Sequence, residues 1–347
     1  MISQQLLGWY SLNKRILPWR ETKDPYKIWI SEIMLQQTQV ATVIPYYEKW
    51  MKSFPNIEAL AQADYNHVLK HWEGLGYYSR CRNIHATAKS LNGKLPETFN
   101  ELIKLPGIGE YTAKTILAIA YNKQEVGVDT NLERVGFRLL GLKKKSKFNN
   151  NRVKKYLENI QDKAKPGDFN QALMDLGSSL CQAKAVDCMP CPITAGCKAS
   201  TNDDPLKYPE MKKNKPSPTV NVAVCIIIYK SKLLLMQRPK DKMLGGLWEF
   251  PGGKIKKGET KEDAVIREVF EETRLNINNP KYLGEVKHQY SHFKVKISLF
   301  QHNIKDISNL KIKEKYLWTT IKGLDNLALP KANHKMLDIF KKINRYV

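Results

Sequence analysis

The sequence predicts two domains of different class: a mainly α domain over residues 1–200 and an α+β domain over residues 219–347, joined by a linker at 201–218. Three observations predict this. The chain has 347 residues, room for two domains at roughly 150 residues each. The first 200 residues show helical apolar spacing, few β-branched runs and short loops marked by Pro and Gly. Beyond them the texture changes to short apolar runs bounded by turn residues. In order, residues 28–35 form an apolar helix ending at Gln36-Gln37-Thr38, and 40–51 repeat the helical pattern. Residues 102–105 lead into a tight turn, Pro106-Gly107-Ile108-Gly109, after which helical spacing resumes over 111–121. Residues 201–218 are polar, rich in Pro and Lys and without apolar period, the signature of a linker. Strands follow at 220–229 and 233–237, then a helix at 262–273 and strands near 286–289, 295–301 and 316–319. No internal repeat or low-complexity block interrupts them.

Lys and Arg number 57 against 34 Asp and Glu, a formal charge of +23. Residues 1–218 hold 32 basic and 21 acidic residues, and residues 219–347 hold 25 and 13. The excess is therefore shared by both domains and is not a detachable tail. Such a field attracts polyanions, nucleic acid first and acidic membrane second, and compositional drift toward Lys remains the plain alternative. The longest apolar run, residues 222–229, is far short of the roughly 20 residues that span a bilayer. The start, MISQQLLGWYSLNKR, has neither a signal-peptide core nor a transit pattern. A cytoplasmic, monomeric protein without membrane contact is expected.

Four of the six cysteines cluster as Cys181-x6-Cys188-x2-Cys191-x5-Cys197. Disulfides are disfavoured in a cytosolic chain, so metal binding leads, and four thiolates hold either zinc or an iron–sulfur cluster. The spacing matches the [4Fe–4S] site of the endonuclease III superfamily of DNA glycosylases. That resemblance implies a cluster on Cys181, Cys188, Cys191 and Cys197. Cys81 and Cys225 read as buried small hydrophobes.

Leu105-Pro106-Gly107-Ile108-Gly109 followed by a helix is a helix-hairpin-helix signature. Gly107 and Gly109 would let the backbone approach a DNA phosphate, and the next helix offers unpaired N–H groups. Asp129 lies 20 residues beyond Gly109, in Val128-Asp129-Thr130-Asn131. A helix N-cap is its plain reading, but hairpin-then-Asp again resembles the glycosylase superfamily.

Residues 1–200 resemble the MutY-type adenine DNA glycosylases. The segments that carry this are Leu17-Pro18-Trp19-Arg20, the run from Trp29 to Val40, Gly74-Leu75-Gly76-Tyr77-Tyr78 and the run from Phe169 to Gly177. The resemblance implies a monofunctional hydrolase that excises adenine opposite 8-oxoguanine or guanine in duplex DNA. Glu32 matches the family's general acid, whose pKa must be raised toward neutrality by an apolar surround; Trp29, Ile30 and Ile33 are candidates for it. Asp129 matches the carboxylate that stays ionised beside the oxocarbenium-like sugar, with Asn131 as its hydrogen-bond partner. Tyr111 stands where bifunctional relatives carry a Schiff-base lysine, and a phenol forms no imine. Lys114, one turn on, is expected to be solvated or to face phosphate. Arg20 and Gln171 match residues that read the extruded base. Gln37 and Tyr77 match intercalating residues, and Thr38 and Leu75 match positions near 8-oxoguanine. His67, His71 and His85 have no partner motif and read as structural.

Residues 219–347 resemble the Nudix-like domain of these glycosylases, and within Gln289-Tyr290-Ser291-His292 the resemblance places Ser291 against 8-oxoguanine. Gly253-x5-Glu259-x7-Arg267-Glu268-Val269-x-Glu271-Glu272-x-Arg274-Leu275 is a nearly complete Nudix box, a Mg²⁺–pyrophosphate hydrolysis motif with Arg274 in place of Gly. The favoured reading is an inherited scaffold whose carboxylates pair with local Lys. Two rivals stand beside the leading reading: a Nudix hydrolase fused to a DNA-targeting module, and a non-catalytic Fe–S damage sensor.

Overall fold

The computed structural model describes residues 1–201, 204–210, 216–290 and 293–344. The chain divides into two compact units, Met1–Gln62 with Asn83–Lys213 and Ala63–Arg82 with Asn214–Val347. The segment Ala63–Arg82, inside the expected first domain, thus groups with the second unit.

The helices before residue 200 are α1 (Ile2–Asn13), α2 (Pro25–Leu35), α3 (Val40–Ser53), α4 (Ile57–Gln62), α5 (Tyr65–Trp72), α6 (Ser79–Ser90), α7 (Phe99–Leu102), α8 (Glu110–Ala120), α9 (Thr130–Leu139), α10 (Lys147–Ile160) and α11 (Pro166–Ser178). The helix expected at 28–35 begins earlier because Pro25 presets the first turn and the Asp24 carboxylate accepts the Tyr26 N–H at 2.9 Å. Helix α11 packs against α1, α8 and α9, and α2 packs against α3 and α8. Leu6, Phe137, Phe169 and Leu173 fill the core between them. The expected linker is docked where it starts. Tyr208 is buried, its carbonyl accepts Arg138 Nε at 3.0 Å, and the Glu210 N–H donates to the Lys143 carbonyl at 2.9 Å.

The second unit is built on a mixed sheet of β1 (Thr219–Tyr229), β2 (Lys232–Gln237), β3 (Trp248–Glu249), β4 (Gly252–Lys254), β5 (Lys281–Gln289), β6 (Lys294–Asn303) and β7 (Tyr316–Thr319). The order is β3-β2-β1-β6-β5, with β4 on β1 and β7 on β2. β1 runs parallel to β6, from Thr219 opposite Lys294 to Ile228 opposite Asn303. The apolar run 222–229 now has a cause, since both faces of β1 are covered. Val224 and Ile226 pack toward α13 (Lys331–Ile343), while Ala223, Cys225 and Ile227 pack toward α12 (Lys261–Thr273). β3, β4 and α13 lay outside the sequence reading.

Helix α12 carries the Nudix-like box. It starts at Thr260, whose hydroxyl accepts the Asp263 N–H at 3.0 Å, and ends at Arg274 with φ +62°, the left-handed conformation that favours glycine. Its carboxylates were expected to pair with Lys. One such pair forms, Lys256 with Glu271 at 3.7 Å, but the main partner is Arg267, which donates to Glu259 at 2.6 Å and to Glu268 at 2.8 Å and lies 3.4 Å from Glu271. A planar guanidinium serves several carboxylates at once, which an ammonium does less well. Among the described residues no helix is long and apolar enough to cross a membrane.

Candidate active site

Helix α2 is buried along nearly its whole length, with Ile28, Trp29, Ile30, Ile33 and Met34 all inside. Glu32 is buried with them. It lines a pocket with Arg20 and Gln171, among the apolar Leu17, Ile28, Ile119 and Met174. Burial pushes the Glu32 carboxyl up to about 7 and outweighs the Tyr111 hydrogen bond that pulls it down. The Asp129 charge raises it further, and Arg20 opposes. At neutral pH this group has a proton to give.

Tyr111 lies on α8, and its phenol donates to Glu32 Oε2 at 2.7 Å. Burial and the neighbouring carboxylates hold that phenol well above its ordinary value, so it remains a donor. The turn before α8 follows the expected pattern, and its two glycines differ. Gly107 has φ +80° and a side chain there would meet Asn83 Cβ at 2.8 Å, so only glycine fits. Gly109 is extended at φ −89° as the N-cap of α8, and the space where a Cβ would stand is open.

Asp129 is the N-cap of α9, as its plain reading has it, and its charge acts on both Glu32 and Tyr111. Its Oδ1 accepts the backbone N–H groups of Asn131 and Leu132 at 2.8 and 2.7 Å, and Oδ2 accepts Asn131 Nδ2 at 3.2 Å. Burial pushes the carboxyl above its ordinary value, while these donors and Arg134 pull it back. The positive end of α9 also favours the anion. Asn131 is fixed in turn, since its Oδ1 accepts Arg134 Nη2 at 3.0 Å. Arg134 further donates to the carbonyls of Gly177 and Cys181 at 2.6 and 3.0 Å. None of these Arg134 contacts was visible in the sequence.

Arg20 has a partner the sequence reading missed. Its guanidinium grips Asp175 with two bonds of 2.6 and 3.0 Å, and Arg15 Nε donates to the same carboxylate at 2.6 Å. Gln171 Oε1 accepts the Tyr10 hydroxyl at 3.3 Å. The four clustered thiols ring a separate cavity, which Arg138 and Leu176 also line. Arg138 Nη1 approaches Cys181 Sγ at 3.1 Å. Burial raises the Cys188 and Cys191 thiols, and Cys181 and Cys197 raise both further, so these sulfurs share one neighbourhood.

Two family models match: the HhH-GPD superfamily base excision DNA repair proteins over residues 30–166 and the NUDIX domain over residues 223–338. The adenine DNA glycosylase of Buchnera aphidicola subsp. Baizongia pistaciae is 35% identical over 350 residues, spanning 99% of this chain and 97% of that one. The chain belongs to the adenine DNA glycosylase family. It is a DNA N-glycosylase, a hydrolase of base-excision repair. The rat adenine DNA glycosylase is 31% identical over 403 residues, spanning 99% of this chain and 78% of that protein. Among solved structures, a thermostable thymine-DNA glycosylase superposes with a TM-score of 0.54 at 26% identity, covering 57% of this chain and 94% of that one. An endonuclease III–DNA complex follows at 0.50 and 22%, covering 57% and 93%, and shows the same fold.

Other residues matched to the glycosylase pattern fall as follows. Gln37 and Tyr77 both adopt left-handed backbone, at φ +55° and +47°. Non-glycine residues held there cost about 1–3 kcal/mol and cluster at functional sites. Gln37 is exposed, Tyr77 is half-buried beneath the Arg80 guanidinium at 5.3 Å, and Leu75 is buried. The Thr38 hydroxyl donates to the Gln36 carbonyl at 3.3 Å. Lys114 departs from the solvated reading: it is largely buried and ion-paired with Glu158 at 2.9 Å and Glu125 at 3.3 Å. Ser291 lies outside the described residues. Cys81 and Cys225 are fully buried.

Proposed function

We propose that this glycosylase removes adenine paired with 8-oxoguanine or guanine, using Glu32 as the acid and Asp129 as the fixed charge. The observation that carries this is Glu32 itself, a buried carboxyl titrating at about 7 in a pocket it shares with Arg20 and Gln171. Its Oε2 is taken by Tyr111, so the proton is carried on Oε1. Transfer of that proton to adenine N7 lets the C1′–N9 bond break with its electrons going to the base. The cation left at C1′ is stabilised by Asp129, whose Oδ2 keeps lone-pair capacity beyond the Asn131 amide. Water then adds to C1′ and returns a proton to Glu32. General acid catalysis contributes about 10²–10⁴ in rate, which leaves a large share to the Asp129 charge. Tyr111 stands at the imine position and Lys114 is held in ion pairs, which supports a monofunctional enzyme.

The four thiols fit a [4Fe–4S] cluster. Cys181, Cys188, Cys191 and Cys197 line one cavity and make a soft, all-thiol donor set. A cluster bound there would be held by these four thiolates and would tie the loop after α11 together. The wedge role of Gln37 and Tyr77 is supported by their left-handed backbone, and discrimination of 8-oxoguanine is assigned to the second unit.

The test is single-turnover incubation with a duplex carrying one A opposite 8-oxoguanine, and a second carrying A opposite G. Strand breaks should appear only after hot alkali and be lost in Glu32→Gln. Breaks without alkali would overturn the monofunctional assignment, and equal rates on A opposite an ordinary T would overturn the mispair assignment.

A further inference from the structure

The loop that carries Tyr77 is braced as one piece. Trp72 Nε1 donates to the Gly76 carbonyl and the Gly74 N–H to the Tyr78 hydroxyl, both at 3.0 Å. Arg80 Nη2 donates to the carbonyls of Leu75 and Gly76 at 3.3 and 3.2 Å. Its guanidinium lies over both the Trp72 and the Tyr77 ring, 5.2 and 5.3 Å from their centroids. Tied at so many points, the loop shifts as a body and carries Tyr77 with it.

Glu73 is the C-cap residue of α5 and begins that loop. Both of its carboxylate oxygens are engaged. Oε2 accepts Lys70 Nζ at 2.6 Å, and Oε1 accepts the Leu329 N–H at 2.7 Å and His334 Nε2 at 2.8 Å. Lys70 Nζ donates as well to the Leu327 carbonyl at 2.9 Å. Burial alone would raise the Glu73 carboxyl, but these donors outweigh it and hold it below its ordinary value. The anchor is firm. Leu329 is 1% exposed, and the Trp248 N–H on β3 donates to the neighbouring Ala328 carbonyl at 2.9 Å. Arg82 also donates to the Lys240 carbonyl, but Lys240 is exposed. Tyr290 and Phe293, which bracket Ser291 in the chain, pack against the same core cluster as Leu329. The Tyr290 N–H donates to the Phe293 carbonyl at 2.9 Å.

We propose that Glu73 is a positioning residue for base extrusion: it ties the wedge loop to the core that supports the opposite-base loop. This rests on the wedge role of Tyr77 and on the assignment of 8-oxoguanine discrimination to the second unit. Close-packed cores transmit small displacements, and the Glu73 clasp passes them through charge-assisted hydrogen bonds to a braced loop. Glu73 acts through Tyr77 and takes no part in the chemistry at Glu32. With guanine opposite, the loop around Ser291 lacks the contact that 8-oxoguanine makes, and the clasp has little to transmit. Loss of the clasp therefore falls on the A:8-oxoguanine reaction and spares A:G. Glutamine at 73 keeps an oxygen for the Leu329 N–H and His334, whereas alanine leaves the Leu329 N–H without its acceptor.

The experiment compares single-turnover excision from A:8-oxoguanine and A:G duplexes by the full-length protein, with 2-aminopurine beside the target adenine reporting extrusion by its fluorescence. Glu73→Ala should slow extrusion and excision opposite 8-oxoguanine about tenfold and change the A:G reaction less than about twofold. Glu73→Gln should stay within about threefold of the parent on both duplexes. His334→Ala removes one donor at a half-exposed position. It should shift the ratio of the two rates the same way by about two- to threefold, and it decides the matter if Glu73→Ala fails to fold. Unchanged rates in variants that unfold cooperatively overturn the proposal, and so does an equal fall on both duplexes, the mark of a merely structural contact. Tyr77→Ala separates this role from the reading beneath it. If Tyr77→Ala leaves extrusion intact, the wedge reading fails and this proposal with it. If it slows extrusion while Glu73→Ala does not, only the role of Glu73 fails.

Discussion

Glu32 and Glu272 are both helix-borne glutamates pushed up from an ordinary 4.5, one to about 7 and the other to about 8. Burial is the largest cause for both, and the remainder differs. Glu32 has one acidic neighbour, Asp129, and a phenol that lowers it. Glu272 has three, Glu249, Glu268 and Glu314, and a single backbone N–H in opposition. A carboxyl raised by apolar walls holds a proton for delivery. One raised by burial and by other carboxylates together keeps its proton partly because ionising it would add to their mutual repulsion. A similar shift thus arises in two different surroundings.

The largest expected effect tests the neighbour of Glu32. Asp129→Asn should lower the excision rate about 10²–10³-fold, while asparagine still caps α9 and the melting temperature stays near that of the parent. Because the Asp129 charge raises Glu32, its loss should also move the alkaline fall in rate to lower pH. An unmoved limb would break the contrast.

Next comes stability. The folded pKa of Glu32 lies above its unfolded value, so its contribution is fully present below pH 4.5 and is lost as pH rises through about 7. Glu32→Gln should therefore exceed the parent above pH 7, by up to about 3 kcal/mol in urea unfolding, and lose that advantage at pH 4.5. A pH-independent difference would show that burial of Glu32 is not what strains it.

The smallest effect concerns how the two helices end. α2 stops at Gln36 with φ −57°, whereas α12 stops at Arg274 with φ +62°. Arg274→Gly should stabilise the protein by about 0.5–1 kcal/mol, read as a higher thermal midpoint. A lower midpoint would mean that the guanidinium over the Phe270 ring, at 5.3 Å, outweighs the backbone relief.

What the sequence disclosed was local. Glu32, Tyr111, Asp129 and the hairpin glycines sit in short motifs, and the strand at 220–229 declared itself by an unbroken apolar run. What it concealed depends on distant partners. Asp175 is 155 residues from Arg20, and Arg134 reaches a carbonyl 47 residues away at Cys181. Lys114 was misread for the same reason, because its partner Glu158 lies on another helix. β3 and β4 have two and three residues, too few to show a period. Only coordinates show that Gln37 and Tyr77 are held at positive φ.

The parallel pairing of β1 with β6 has a consequence for synthesis. The strand that completes β1 ends at Asn303, long after Tyr229 has been added. At about 5–20 residues per second, the ribosome takes about 4–15 s to make the intervening chain. Throughout that interval one of the most apolar stretches of the protein has an open edge, in a form prone to pair with other chains. Yield of soluble enzyme should therefore respond to translation rate and to holdase supply more through this strand than through any residue of the excision pocket.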